Sequence, residues 1–233
     1  CIRDRFTLLA VYATSMNFTI LEISIVTFLL AVSGAIAQFP IGKISDMYDR
    51  RKVIVFSTFG AAIFSIFAIL VSRQMYLPGS LATSKTWFYI FFILFSFCSL
   101  PMFSLILAHT NDYISKDKFV AAGAGLQFAF GLGAMSGPFL CSIFMDLVGS
   151  NGFFVFLFFF HCIIGFFGIY RMKVRQSVDN PDSQFVAMPQ TITPAGIELN
   201  PTTEHIEEPY SDKVKEILER KGVKYKKDED KIK

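Results

Sequence analysis

Five apolar stretches constrain the fold of this 233-residue chain more than any other feature. They cover about residues 24–44, 53–72, 87–108, 120–145 and 153–170, and short polar turns separate them. An α-helix needs roughly 20 apolar residues to cross a hydrocarbon layer of about 30 Å. Because backbone polar groups cannot stay unpaired in lipid, the sequence predicts five complete membrane-spanning helices.

The distribution of charge agrees with this prediction. Residues 1–172 contain 18 charged side chains, whereas the much shorter segment 173–233 contains 23. Only 18% of the chain is charged, compared with about a quarter of an ordinary soluble domain. We therefore expect an all-α, polytopic membrane bundle over residues 1–172 and a solvated tail over residues 173–233. A net charge of +3, with acidic residues close to the basic ones, argues against a nucleic-acid partner.

Both ends of the chain have features of their own. Residues 6–13 are apolar but too short to cross a membrane, and we interpret them as the end of a truncated helix. Residues 176–209 are rich in Pro, Thr, Asn and Gln, and are expected to run over the surface or remain flexible. Further on, an apolar periodicity that stops at Gly222 predicts a short helix near residues 211–221.

The basic residues predict the orientation in the membrane. Loops 45–52 and 109–119 and the segment after the last span carry most of the Lys and Arg, whereas the opposite loops offer only Arg73 and Lys85. Basic loops stay on the cytoplasmic side of a membrane. Loop 45–52 and the tail are therefore expected to be cytoplasmic.

Loop 45–52 belongs to the most specific motif in the chain. Its informative residues are an acid and a basic cluster with a glycine before them: Gly42, Asp46, Asp49, Arg50, Arg51 and Lys52. An acid followed by a basic cluster in a tight turn can hold adjacent helix ends together in one conformation and release them in another. On topology alone, a basic anchor for membrane orientation explains the cluster equally well.

The motif resembles the signature loop of the major facilitator superfamily, Gly-x-x-x-Asp-x-x-Gly-Arg-Arg-Lys, with Asp49 in place of the second Gly. The runs Pro101–Asp112, Gly133–Pro138 and Phe185–Thr191 resemble the C-terminal half of the YcaD-like bacterial permeases in that superfamily. The resemblance implies that loop 45–52 joins helices 8 and 9. It also implies the C-terminal half of a major facilitator fold, with five complete helices, the end of a sixth and a cytoplasmic tail, in the bacterial inner membrane.

The function implied by this resemblance is secondary-active transport of a small solute by alternating access, without a cofactor. The expected partners are the lipid bilayer, an unknown small solute and the missing N-terminal half of the transporter, which could be a separate polypeptide. Two alternatives stay open: the inactive product of a split or decaying gene, and a membrane protein that acts only with a partner half. An enzyme is disfavoured, because the 61-residue tail contains no catalytic or metal-ligating set.

Three further groups of residues are candidates for function. Gly133 and Gly137 have the spacing that lets a second helix approach closely, and Pro138 is expected to bend the same helix. The second group is the pair of polar residues Gln127 and His161, of which Gln127 is a candidate for lining a solute pathway. His161 could handle a proton inside the membrane, although a structural hydrogen bond is the preferred interpretation.

The third group follows the third apolar stretch and consists of His109, Asn111 and Asp112. These residue types occur in catalytic sites, but neither a nucleophile nor a set of metal ligands accompanies them. We expect them to cap the helix end and to form a hydrogen-bond network beside the gate.

Overall fold

The computed structural model describes residues 4–74, 81–115, 118–174 and 185–188. In these ranges the chain forms helices joined by turns, without a β-strand, and residues 185–188 have no regular secondary structure. The helices are α1 (Asp4–Ser15), α2 (Ile20–Met47), α3 (Arg50–Gln74), α4 (Leu81–Ser99), α5 (Met102–Asn111), α6 (Phe119–Val148) and α7 (Gly152–Val174). The helix predicted near residues 211–221 lies outside the described residues.

Five helical segments are long and apolar enough to cross a membrane. They are Ile20–Met47, Arg50–Arg73, Ser84–Asn111, Phe119–Val148 and Gly152–Val174. Each of the five stretches expected from the sequence lies inside one of these segments, which confirms the all-α membrane bundle. Helix α1 contains residues 6–13 and, with 12 residues, is about 18 Å long, which is too short to span.

Local sequence signals explain where two helices begin and end. Thr19 caps α2, because its hydroxyl accepts the backbone N–H of Glu22 while the Glu22 carboxylate accepts the N–H of Thr19. Pro101 lies at the break between α4 and α5, which together form the third span. Proline has no N–H for the helical ladder and its ring crowds the preceding turn, so this span is interrupted rather than continuous.

An aromatic ladder on α4 forms the centre of the bundle. Phe88, Phe92 and Phe95 are each at most 2% exposed, and successive ring centroids lie 5.7 and 5.8 Å apart. Tyr12 of α1 stacks on Phe88, and Phe154 of α7 meets the Phe88 and Phe92 rings edge-on. Residues spaced by three or four share one face of a helix, so α4 presents a continuous aromatic surface to its neighbours.

Helices α2 and α4 are also joined by two buried serines. The Ser33 hydroxyl of α2 donates to the Ile93 carbonyl, and the Ser96 hydroxyl of α4 donates to the Leu30 carbonyl, both at 2.8 Å. Small hydroxyl residues let helices in lipid approach closely and supply hydrogen bonds between them. This pair therefore fixes the position of α2 against α4.

Successive spans run antiparallel, which brings two turns and the end of α7 to the same end of the bundle. The α2–α3 turn and the α5–α6 turn meet there through Arg50 and Asp112. The last turns of α7 lie beside the start of α3, where Gly168 approaches Val55. We call this end the basic end, because it carries the three consecutive bases at 50–52.

Of the five spans, the one formed by α6 is the least buried within the described part of the chain. Only 11% of its most apolar window is buried, against 56% for the span formed by α4 and α5. Large side chains on α6 are open to the surroundings, including Phe128 (70% exposed) and Met135 (79% exposed). A broad apolar face of α6 is thus left for lipid or for another protein surface.

Candidate functional site

One arginine connects three helices at the basic end. The Arg50 Nη2 atom lies 2.8 Å from Asp46 Oδ1 at the end of α2, and Nη1 lies 3.1 Å from Asp112 Oδ1 just after α5. Arg50 itself begins α3, and its side chain is only 3% exposed. A planar guanidinium can bind two carboxylates at once, so a single residue ties together the ends of α2, α3 and α5.

The two carboxylates lie in different surroundings. The Asp112 side chain is 5% exposed, whereas that of Asp46 is 36% exposed. Asp46 also accepts a hydrogen bond at 2.9 Å from the backbone N–H of Phe185 in the tail. Asp46 therefore joins the charged network to the tail, while Asp112 forms its buried side. We call Asp46, Arg50 and Asp112 the arginine bridge.

Asp49, which departs from the signature pattern, caps α3. Its Oδ1 accepts the backbone N–H of Arg51 at 3.0 Å, and its Oδ2 lies 2.7 Å from Arg51 Nη2. This hydrogen-bonded pairing with Arg51 lowers the pKa of Asp49 below its ordinary value. A glycine could offer neither contact, so Asp49 gives the turn a helix cap and a local ion pair.

Gly42 gives a tail residue room to pack. A side-chain carbon at this position would overlap the Phe185 ring, which lies directly against the α2 backbone. Lys52, the last residue of the motif, is exposed at the start of α3. The motif therefore contains a buried bridge, a capped turn, an exposed base and a glycine that a tail residue covers.

The three candidates after the third span take different positions. Asp112 enters the arginine bridge, and its backbone N–H donates to the Ala108 carbonyl at the end of α5. Asn111 is 6% exposed. The His109 ring meets the Tyr113 ring edge-on, with 5.1 Å between their centroids. These positions support the capping and network interpretation for Asp112 most directly.

His161 lies at the contact between α7 and α4, away from the arginine bridge. It is 3% exposed, with Nδ1 2.7 Å from the Leu157 carbonyl and Nε2 2.9 Å from the Ser99 hydroxyl. A carbonyl can only accept, so Nδ1 donates to it, and in the neutral ring Nε2 accepts from Ser99. This arrangement supports the structural interpretation of His161.

The candidates on α6 face different surroundings. Gly137 is buried, and the helix continues through Pro138 without a break. A side-chain carbon at Gly133 would meet no atom within 4 Å among the described residues, so no helix described here packs on that position. The Gln127 Oε1 atom is buried, and within the described chain it has no hydrogen-bond donor.

Metal-binding side chains do not cluster in the described part of the chain. Across residues 4–74, 81–115, 118–174 and 185–188, no group of three or more His, Cys, Asp or Glu side chains is placed to hold a metal ion.

A comparison with models of known protein families shows to which family the chain belongs. The model of the Major Facilitator Superfamily matches residues 6–215. This range contains all seven helices, apart from the first two residues of α1. The chain belongs to the Major Facilitator Superfamily. This is a superfamily of transporters rather than of enzymes. Membership confirms the family expected from the signature loop, whereas the YcaD-like branch stays a prediction.

The similar curated proteins are themselves named as transporters of this superfamily. An uncharacterized MFS-type transporter of Yersinia enterocolitica is 28% identical over 160 residues, which are 69% of this chain and 37% of that protein. An MFS-type transporter of Yersinia pestis is 24% identical over 160 residues, again 69% of this chain and 37% of that protein. One of Methanocaldococcus jannaschii is 26% identical over 183 residues, or 76% of this chain and 42% of that protein. The chain thus spans well under half of these relatives, and no solved structure matches it.

Two parts of the site in this superfamily member were missed by sequence reasoning. The capping role of Asp49 had a signal, because an Asp directly before an apolar run is a typical helix start. The contact between Phe185 and Asp46 had none, since 139 positions separate these residues. The tail also differs from a purely solvated stretch, because Met188 is only 7% exposed.

Proposed function

We propose that the chain is the C-terminal half of a secondary-active transporter of the Major Facilitator Superfamily. In this proposal the intact carrier moves a small solute across the bacterial inner membrane by alternating access, and the arginine bridge closes its cytoplasmic gate. The observation that carries the proposal is the position of Arg50, whose two terminal nitrogens bind Asp46 at the end of α2 and Asp112 just after α5.

The burial of the bridge supports a gate with two discrete states. Removing one partner of a buried ion pair typically costs about 3–5 kcal/mol, because the other charge stays in a medium of low dielectric constant. Arg50 and Asp112 are 3% and 5% exposed, so the ends of α3 and α5 cannot drift apart gradually without incurring that cost. They separate only when the charges gain other partners or water, as alternating access requires.

The open face of α6 supports a second half of the bundle. Side-chain carbons at Gly125, Gly131 and Gly133 would meet nothing within 4 Å in the described chain, and only a small share of α6 is buried. Small residues on a lipid-embedded helix favour close packing against another helix. We assign this face to the N-terminal half. Gln127, with its unpaired Oε1 on the same helix, is the candidate for the solute pathway between the halves.

The alternative proposal is the inactive product of a split or decaying gene. It predicts the same bundle and the same arginine bridge, but no flux in any assembly. The two proposals therefore differ only in a transport measurement on a complete carrier.

The experiment joins this chain to an N-terminal half and reconstitutes the carrier in sealed vesicles. Flux is followed with a pH-sensitive dye over a panel of sugars, amino acids and drugs. We expect saturable flux of at least one solute, which Asp46→Asn lowers at least tenfold while membrane insertion stays unchanged. The matched control is Glu22→Gln, which removes a carboxylate at the other end of the same helix.

Two results would count against the proposal. If no solute enters faster than in empty vesicles, the inactive alternative stands. If flux occurs and Asp46→Asn transports as fast as Glu22→Gln, then the chain is part of a carrier but the arginine bridge is only a basic anchor. Residues 1–233 alone are expected to give no flux, because a carrier needs two walls around its site.

A further inference from the structure

A short segment of the tail is bound to α2 and α5 by three hydrogen bonds. The Phe185 N–H donates to Asp46 Oδ1 at 2.9 Å. The Met188 N–H donates to the Ser104 hydroxyl at 3.1 Å, and that hydroxyl donates to the Met188 carbonyl at 3.0 Å. Residues 185–188 therefore bind α2 with their first residue and α5 with their last. We call them the strap.

Side-chain packing accompanies these hydrogen bonds. The Phe185 ring lies in the space that Gly42 leaves and packs on the small apolar cluster around Ile41 and Leu105. Met188 is 7% exposed, although it belongs to a polar tail. Both ends of the strap thus combine a backbone hydrogen bond with side-chain packing, since Phe185 is half-buried and Met188 is buried, whereas Ala187 between them is exposed.

The strap has little freedom to follow a movement of the helices. Three residue steps span at most roughly 11 Å of extended chain, so the two ends cannot stay bound if α2 and α5 move apart. Asp46 Oδ1 also accepts from Arg50, so the same oxygen belongs to the arginine bridge and to the strap. Loss of the bridge leaves that oxygen free to turn away from the Phe185 N–H.

We propose that the strap is a latch that binds the basic end only while the arginine bridge is formed. When bound, the strap adds a second connection between α2 and α5, through Asp46 near the end of α2 and Ser104 in the first turn of α5, and holds these helices in the closed arrangement. When the bridge opens, the strap loses the position of Asp46 and dissociates. The effect on transport rests on the proposed function above, whereas the binding of the strap to the bundle does not.

Amide hydrogen exchange measures the latch on the wild-type chain in lipid nanodiscs, without a solute. Exchange at a hydrogen-bonded amide requires local opening, so it reports how often the strap is released. We expect the peptide containing residues 185–188 to exchange at least tenfold more slowly than the same segment as a free peptide. Exchange at the free-peptide rate in the wild-type chain would overturn the proposal.

Two glycine variants separate docking from general stability. Gly42→Ala places a methyl group where the Phe185 ring lies, and should raise strap exchange to near the free-peptide rate. The matched control is Gly131→Ala, also a glycine inside a spanning helix, whose added methyl meets nothing within 4 Å. Ser104→Ala provides a second test, since it removes the partner of Met188 without adding volume. If Gly42→Ala and Ser104→Ala both exchange like the wild type and the Gly131→Ala control, the strap is not docked as described.

One further variant tests the coupling to the bridge. Asp112 binds the other terminal nitrogen of Arg50, so Asp112→Asn changes the bridge from the side away from Asp46. A latch predicts at least threefold faster strap exchange in Asp112→Asn and no change in Glu22→Gln. Unchanged exchange in Asp112→Asn, with circular dichroism showing intact helices, would contradict the latch even if the strap is docked. If Asp112→Asn speeds strap exchange but leaves the flux of the complete carrier unchanged in the transport assay, only the proposed gate is contradicted.

Discussion

Replacing Asp112 should destabilise the bundle far more than replacing the other acidic residues in ion pairs. Asp112 and Arg50 form a pair with 5% and 3% exposed side chains, 3.1 Å apart. Asp112→Asn keeps the size of the side chain but leaves the guanidinium with one carboxylate fewer in a buried site. Breaking a buried pair costs about 3–5 kcal/mol, and since Asp46 still binds Arg50, we expect a loss at the low end, about 3 kcal/mol.

Two other carboxylates provide the scale for this value. Asp46 is 36% exposed, so water replaces much of the lost interaction in Asp46→Asn and the expected cost is about 1 kcal/mol. Glu22 pairs with Lys85 at the opposite end, with a side chain 25% exposed, and Glu22→Gln should cost about 1 kcal/mol or less. We therefore expect Asp112→Asn to lower the free energy of unfolding much more than Asp46→Asn or Glu22→Gln does.

Reversible unfolding of residues 1–233 in mixed micelles, followed by circular dichroism, measures these differences. A double-mutant cycle with Arg50→Gln isolates the pair, and the double variant should lose about 1–3 kcal/mol less than the sum of the single variants. If Asp112→Asn costs no more than Glu22→Gln, or if the cycle shows no coupling, the bridge does not stabilise the basic end and the reasoning is refuted.

Three further substitutions test local features of the structure. The pKa of Asp49 is lower in the folded chain than its unfolded-state value of 3.8. Its pair with Arg51 therefore stabilises the fold fully above pH 3.8, and this stabilisation is lost as the pH falls through the folded-state pKa. Unfolding measured from about pH 6 to pH 3 should therefore show a steeper loss of stability in the wild type than in Asp49→Asn, and equal slopes would contradict the pairing. Gly34→Ala should cost about 1–3 kcal/mol, because its methyl group would overlap Leu100, whereas Gly131→Ala should be neutral or stabilising by up to about 1 kcal/mol in the same unfolding assay.

The number of spans and several boundaries could be predicted because their causes are local. Twenty apolar residues in a row have one stable arrangement in lipid, and the Thr19–Glu22 spacing marks the start of α2 without any tertiary information. The basic turn could be recognised as a candidate site for the same reason, since its residues are consecutive.

The contacts that give this turn its structure could not be predicted from spacing. Arg50 and Asp112 are 62 positions apart, and Phe185 and Asp46 are 139 positions apart. Such pairs depend on how the helices pack, which local patterns do not report. The tail was harder to predict, because its polar composition is typical of solvated chain. Among its described residues 185–188, apolar contacts that dock the tail come from Phe185 and Met188.

The side of the membrane on which the basic end lies tests the central claim most directly, because a cytoplasmic gate requires it to face the cytoplasm. Tyr48 in the α2–α3 turn is 66% exposed, and Ser150 lies in the α6–α7 turn at the opposite end. Single cysteines at these positions, with the natural cysteines replaced, are treated with an impermeant maleimide on intact bacterial cells. We predict that Ser150→Cys is labelled from outside and that Tyr48→Cys is labelled only after permeabilisation. Labelling of Tyr48→Cys in intact cells would contradict a cytoplasmic gate at the arginine bridge.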